Sequence, residues 1–444
     1  MAEQMEWIKL LSPHRLGSEL PGKITPERSP FQRDFDRIVF SGSFRRLQDK
    51  TQVFPMAQND YVRTRLTHSL ETSSIARSLG TAAGVFICRE FDTGGAHPSD
   101  IGAAVAAAAL AHDIGNPPLG HAGEEAIRYW FTDTMEGQKL HAEMTPAEIA
   151  DICKYDGNAQ GFRILSRLEM PDNHGGMQLT CATLGAFAKY PGSSQSNWKK
   201  CGFFQQEAAL FAEVADYCGM IEKAPGSWSR HPLSFLLEAA DDIAYLTVDF
   251  EDASRLGMID YSCLEKLYLE IIDSPRSSEY VKTLATKERK AEFLRAQAIG
   301  ILVRAAADCF IAHHDELMRG EFTASLTDLI PQAPLLNDIR QRSIQDIYNH
   351  RSVAEVVGAG FELVQGMLDI FVPCVNEMAM ECSGRGKASY RSRRVSALLP
   401  VLHYPRPDEV DSTYTRLLRV LDYISGMTDR YAVNLYQKLK GISL

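Results

Sequence analysis

The stretch AAVAAAALAHDIGNPPLGHAGEEAI, residues 103–127, reads as two helices joined by a tight turn. Alanine is the strongest helix former, so the first part predicts a helix entering at residues 100–101. Gly115, Pro117 and Pro118 stop it. His112 and Asp113 then fall in its last turn, where an imidazole nitrogen and a carboxylate oxygen converge on one divalent cation. Beyond the turn, His121 and Glu124 stand three residues apart and so share one face of the second helix. That face can look back at the cation.

Two more ligands of the right kind lie far away in the chain: His68 in YVRTRLTHSLE (61–71) and Asp241 in LLEAADDIAYL (236–246). Asp241 belongs to a helix that opens at His231 and Pro232 and closes near Gly257, with Tyr245 one turn further along its face. Asp242 points roughly a hundred degrees away, so only one of the pair readily reaches the ion, and Asp241 is taken as that ligand. Two imidazoles and two carboxylates fit Mn²⁺, Mg²⁺, Fe²⁺, Co²⁺ or Ni²⁺ better than structural zinc and leave a coordination position open, which implies catalysis. An isolated His-Asp pair would be coincidence; the joint pattern of separated segments is what makes a site. His97, His174, His313 and His314 have no such company and read as hydrogen-bonded or solvated residues.

The chain has 444 residues, 45% hydrophobic and 23% charged, enough for one large or two to three smaller globular domains. A net charge of −10 opposes general coating of nucleic acid or an anionic membrane surface, so a polyanionic ligand must meet a local basic pocket. Nine cysteines form no CxxC pair and predict reduced thiols of a cytoplasmic protein. The start MAEQMEWIKLL predicts no secretory signal, and the apolar run 103–111 is too short to span a bilayer, so no membrane partner is expected.

Apolar residues at three- and four-residue steps predict helices over 68–88, 101–113, 121–131, 204–221, 233–255, 290–316, 352–371 and 412–441, with loops at 92–100, 133–146, 171–178, 190–199, 224–232, 331–338 and 383–392. Alternating strand patterns are scarce. The fold class is all-α, with room for one small hairpin, divided into an N-terminal segment 1–29, a core 30–258 and a helical C-terminal region 259–444.

THSLE (67–71), AHDIGNPPLGHAGEEA (111–126) and EAADDIAYLTVDFED (238–252) resemble the HD-domain phosphohydrolases, and within them the deoxyguanosine triphosphate triphosphohydrolase-like branch. Further matches are SGSFRRLQDKTQVFP (41–55), DGNAQGFRIL (156–165), LTCATLGAFAKYP (179–191), KCGFFQQE (200–207) and DYISGMTDRYAVNLYQKLKG (422–441), so the resemblance covers most of the chain. It implies a helical HD core with a helical C-terminal extension, assembled as a homo-oligomer, often a hexamer. The implied reaction splits a deoxynucleoside triphosphate into the deoxynucleoside and intact inorganic triphosphate. By this resemblance His68, His112, Asp113 and Asp241 match the metal ligands, with Mg²⁺ or Mn²⁺ first among the ions, and His121 and Glu124 match the catalytic pair.

A ligand with about four negative charges needs several cations. Arg65, one helical turn before His68, is the first candidate. The resemblance adds Lys189, Tyr190, Lys200, Asn158 and Tyr245 around phosphates and sugar, and Gln52 and Val53 against the deoxyribose and base. A tight fit there would exclude a ribose 2′-hydroxyl, since an unpaired buried hydroxyl costs about 1–3 kcal/mol. The chain departs from the family at Leu119, where phenylalanine is frequent, and near Val357, roughly where relatives carry a glutamate that helps read the base. The second departure leaves dGTP as the first substrate while admitting other deoxynucleotides, or activation by a nucleotide or single-stranded DNA. Two alternatives stand beside this reading: an HD phosphohydrolase for another nucleotide, and a nucleic-acid-binding oligomer using the basic stretch 385–394.

Overall fold

The computed structural model describes residues 4–20, 28–52, 62–400 and 412–442. Val53 lies outside these residues. Among the described residues the chain is helical almost throughout, and its strands form one two-stranded antiparallel hairpin, Glu222–Ala224 with Ser227–Trp228.

Three helices position the site. Pro98–Ala111 crosses Arg65–Glu90 at close range because both present small residues: a Cβ on Gly102 would lie 2.3 Å from the Thr81 hydroxyl and 2.9 Å from the Arg77 carbonyl. The alanines of residues 103–111 are nearly all buried in this crossing, which explains a run that hydrophobicity alone would not demand. Pro232–Arg255 packs across both, started by Pro232 in its first turn and capped by His231, whose Nδ1 accepts the Leu233 N–H at 3.1 Å.

The core divides into two apolar clusters. One gathers Trp7, Phe31, the three site helices and residues up to Val353; the other packs Trp130, Phe131, Tyr155 and Phe204 against residues 363–432. C-terminal helices thus complete a wall begun by the His121–Asp133 helix. The long helix Arg351–Cys382, which runs through Pro373 where the sequence predicts a stop at 371, supplies much of that wall. Its segment Val353–Cys382 is long and apolar enough to cross a membrane by composition, yet half of its apolar window is buried within the protein.

Several local expectations are corrected. Residues 331–338, read as a loop from their prolines, contain the start of helix Ala333–Arg342, where a first-turn proline lacks no needed N–H. The single helix expected over 412–441 is two, Thr413–Ser425 and Asp429–Leu439, because the Thr428 hydroxyl accepts the Tyr431 N–H and begins a new helix. The loop expected over 383–392 ends in helix Tyr390–Ser396, capped by Ser389; there Arg393 pairs with Glu381 at 2.5 Å and Arg394 sits over Tyr390. All nine cysteines are free thiols.

Candidate active site

The Pro98–Ala111 helix ends two residues before the 113 its pattern implies, with His112 as C-cap and Asp113 in the turn. The turn is pressed against Gly157–Arg163: a Cβ on Gly115 would stand 2.1 Å from the Gly157 carbonyl, so only glycine fits. His112 Nδ1 lies 2.7 Å from the Ala109 carbonyl. That oxygen can only accept, so Nδ1 carries the proton and the Nε2 lone pair is free to ligate.

His112 Nε2 stands 3.6 Å from Asp241 Oδ1, and His68 Nε2 stands 3.1 Å from the same oxygen. The three side chains come from three helices or their ends, and one ligand atom of each lies within 4.8 Å of the others, a group that fits a single cation. Asp113 sits at the edge of this trio. Its Oδ2 is 3.6 Å from His112 Nε2 but accepts a 2.6 Å hydrogen bond from Arg65 Nη1, while Oδ1 accepts from Asn116. Burial alone would raise the Asp113 pKa; Arg65, His112 and His68 outweigh it and hold the carboxyl well below the usual range. Burial likewise opposes the Asp241 charge, and the two imidazoles overcome it.

His121 is 79% exposed, whereas Glu124 is buried. His121 Nδ1 donates to Glu124 Oε2 at 2.9 Å, and Glu124 Oε1 accepts the Gly157 N–H at 2.8 Å. Burial works against the Glu124 carboxylate, but the His121 bond, the Lys200 charge and the Gly157 N–H keep its pKa below normal. The pair therefore presents one imidazole, anchored at Nδ1, with Nε2 left to exchange a proton.

Both features open into one cavity of about 430 Å³, which also receives Gln52, Asn158, Lys189, Tyr190, Lys200 and Tyr245. All the described residues that sequence reasoning placed around substrate are thus brought together. At rest each cation has a partner: Arg65 with Asp113, Lys189 with Glu238 at 3.2 Å, and Lys200 with Asp156 at 3.5 Å. Asn158 Nδ2 donates to Asp156 at 2.6 Å, and the Tyr245 hydroxyl accepts from Arg340 at 3.4 Å. Among the described residues the lining holds three cations, Arg65, Lys189 and Lys200, against five carboxyl groups, Asp113, Glu124, Glu238, Asp241 and Asp249. A polyanion is repelled by that balance unless a divalent cation joins it. Three buried polar atoms of lining residues, Gln52 Oε1, Arg65 Nε and His68 Nδ1, have no hydrogen-bond partner among the described residues.

Sequence reasoning missed four residues. Asp249, whose pKa burial raises to about 7, lines the cavity eight residues after Asp241; the 241, 245, 249 spacing on one helix face was a usable signal. Tyr348 enters from a π-helical turn, Ser343–Tyr348, and Arg340 reaches Tyr245 from the C-terminal region; neither has a local signature. Lys50, which reads as a surface charge, is buried, and that burial lowers its pKa to about 7 against the opposing charge of Asp429.

Family models match an HD domain over residues 65–173 and a phosphohydrolase-associated domain over 332–438. A deoxyguanosinetriphosphate triphosphohydrolase-like protein of Synechocystis is 42% identical across 99% of this chain and all of its own length. The chain belongs to the deoxyguanosinetriphosphate triphosphohydrolase-like family of HD-domain phosphohydrolases. A second member of this family, from Listeria monocytogenes, is 37% identical over 99% of the chain and its whole own length. A deoxyguanosinetriphosphate triphosphohydrolase of Salmonella arizonae is more distant, 29% identical over 93% of the chain and 94% of its own length. HD-family membership and the His68–His112–Asp241 group together make this a hydrolase with a site for a divalent metal.

Proposed function

We propose that the protein hydrolyses deoxynucleoside triphosphates, dGTP among them, to the deoxynucleoside and inorganic triphosphate. The observation that carries this reading is the placement of the His68, His112 and Asp241 donor atoms beside the His121–Glu124 pair in one cavity lined by lysine, arginine and tyrosine. His68, His112 and Asp241, with Asp113 alongside, would hold a divalent ion, and the two imidazoles favour Mn²⁺ over Mg²⁺. When bound, that ion supplies positive charge beside the scissile phosphate.

The chain's own residues do the remainder. Arg65, Lys189 and Lys200 exchange their carboxylate partners for phosphate oxygens and orient the triphosphate. A water molecule attacks the α-phosphorus and gives up a proton to solvent, the bond from phosphorus to the 5′-oxygen breaks, and the leaving oxygen takes up a proton. His121 Nε2 is the group placed to give that proton, and Glu124 holds the imidazole at Nδ1 while the charge changes. Asn158, Tyr190 and Tyr245 bracket the phosphates and sugar, and Gln52 faces the deoxyribose.

Product analysis tests this directly. With Mn²⁺ and each deoxynucleoside triphosphate in turn, phosphorus NMR should show inorganic triphosphate appearing in step with the free deoxynucleoside. Orthophosphate or pyrophosphate as the primary product would instead support an HD hydrolase with different chemistry.

A further inference from the structure

The turn between helices Thr413–Ser425 and Asp429–Leu439 reaches both walls of the cavity from behind. Asp429 is buried, and its two carboxylate oxygens accept two backbone N–H groups: Oδ2 from Thr51 at 2.8 Å and Oδ1 from Leu119 at 2.9 Å. Thr51 precedes Gln52 on one wall; Leu119 and Gly120 lead into His121 on the other. Lys50 joins the same three segments, its buried ammonium donating to the Asn116 carbonyl at 2.5 Å and to the Ser425 carbonyl at 2.7 Å. Arg430 adds an outer tie to Asp49 at 3.3 Å.

The Leu119 backbone is in the left-handed region, φ +61°, followed by Gly120 at φ +58°. A leucine there is unfavourable and persists only when its surroundings fix it. The bond from the Leu119 N–H to Asp429 is such a fixture, two residues from the His121 imidazole. Asp429 itself does not line the cavity.

We propose that Asp429 is a positioning residue of the active site, holding the Gln52 wall and the His121 wall at a fixed separation through the Thr51 and Leu119 amides. Its kinetic consequences rest on the triphosphohydrolase reading; the clamp itself does not. A carboxylate has acceptors for both amides, whereas the Asp429→Asn amide keeps one acceptor and turns an NH₂ toward the other N–H, so one wall is released. The displaced imidazole lowers kcat, and the loosened Gln52 wall admits ribonucleotides.

The test compares Asp429→Asn with Tyr155→Phe, which removes the 2.6 Å hydrogen bond between the Tyr155 and Ser425 hydroxyls beside the same turn but leaves both walls held. In Asp429→Asn, kcat for a deoxynucleoside triphosphate should fall on the order of 10²-fold. Its preference for the deoxynucleotide over the matching ribonucleotide should shrink, Mn²⁺ affinity should stay as in the parent protein, and hydrogen exchange should accelerate in peptides containing Thr51 and Leu119. Tyr155→Phe should lower Tm without altering kcat or the preference. Parental kcat, preference and exchange in Asp429→Asn would overturn the proposal. If that variant does not fold, Asp429→Glu keeps the charge but moves both acceptors by one methylene, and parental kcat there counts equally against it. Should the parent protein turn over no deoxynucleotide, the functional reading fails. Exchange at Thr51 and Leu119 then decides the clamp alone, and unchanged protection in Asp429→Asn sinks it.

Discussion

His121 and Glu124 divide one task between an exposed ring and a buried carboxylate. Glu124 bonds to His121 and Gly157 rather than to the His68–His112–Asp241 trio, so its substitution separates proton transfer from metal binding. In Glu124→Gln the imidazole loses its charged anchor while the shape is kept. We expect kcat to fall by about 10²-fold or more with Mn²⁺ affinity unchanged, measured by steady-state kinetics and titration calorimetry. Full activity would remove the pair from the chemistry. This pair was legible because i, i+3 spacing on a helix fixes a shared face. The setting of Asp113 was not, because its bonds to Arg65 and Asn116 depend on how the turn folds back, which spacing does not record.

The Pro232–Arg255 helix carries Asp241, and its N-cap is a histidine held neutral. Burial lowers the His231 pKa to about 4, partly opposed by the hydrogen bond its Nε2 makes to the Leu10 carbonyl at 2.9 Å. Since the unfolded chain binds this proton near pH 6.5 and the folded chain only near 4, stability is lost as pH falls from 6.5 toward 4. A shift of that size corresponds to roughly 3 kcal/mol. His231→Asn keeps an N-cap acceptor but cannot titrate, so urea unfolding across that range should show a weaker acid-side loss in the variant. Equal pH slopes would mean that other groups carry the dependence. The helix was readable from its apolar period and opening proline. The bounds near Pro334 and Pro373 were not readable: Pro334 sits in a first turn, where no N–H is needed, whereas Pro373 lies inside a helix that continues despite the bond it removes.

Across the molecule, the C-terminal region is joined to the HD core by buried ion pairs as well as by apolar packing. Arg163, fully buried, donates to Asp422 at 2.8 and 2.9 Å and to Glu207 at 2.6 Å. Replacing it with methionine takes the cation from Asp422 and leaves Glu207 with Arg167 alone at 2.8 Å, and we expect chemical denaturation to show a loss of about 3–5 kcal/mol. A loss under 1 kcal/mol would mean that the carboxylates relax to water. Such long-range partners are what the sequence leaves dark. The all-α class and the metal-bearing segments could be read from periodicity and resemblance, but the partners of Arg163, Lys50 and Asp429 lie 44 to 378 residues away. The central claim is that side chains from three distant segments grip one cation beside a proton-transfer pair. Anomalous diffraction at the manganese edge, from crystals grown with Mn²⁺, measures this most directly. The account predicts one peak per chain between His68, His112 and Asp241, while a principal peak elsewhere, or no peak with the His68–Asp241 hydrogen bond intact, would contradict it.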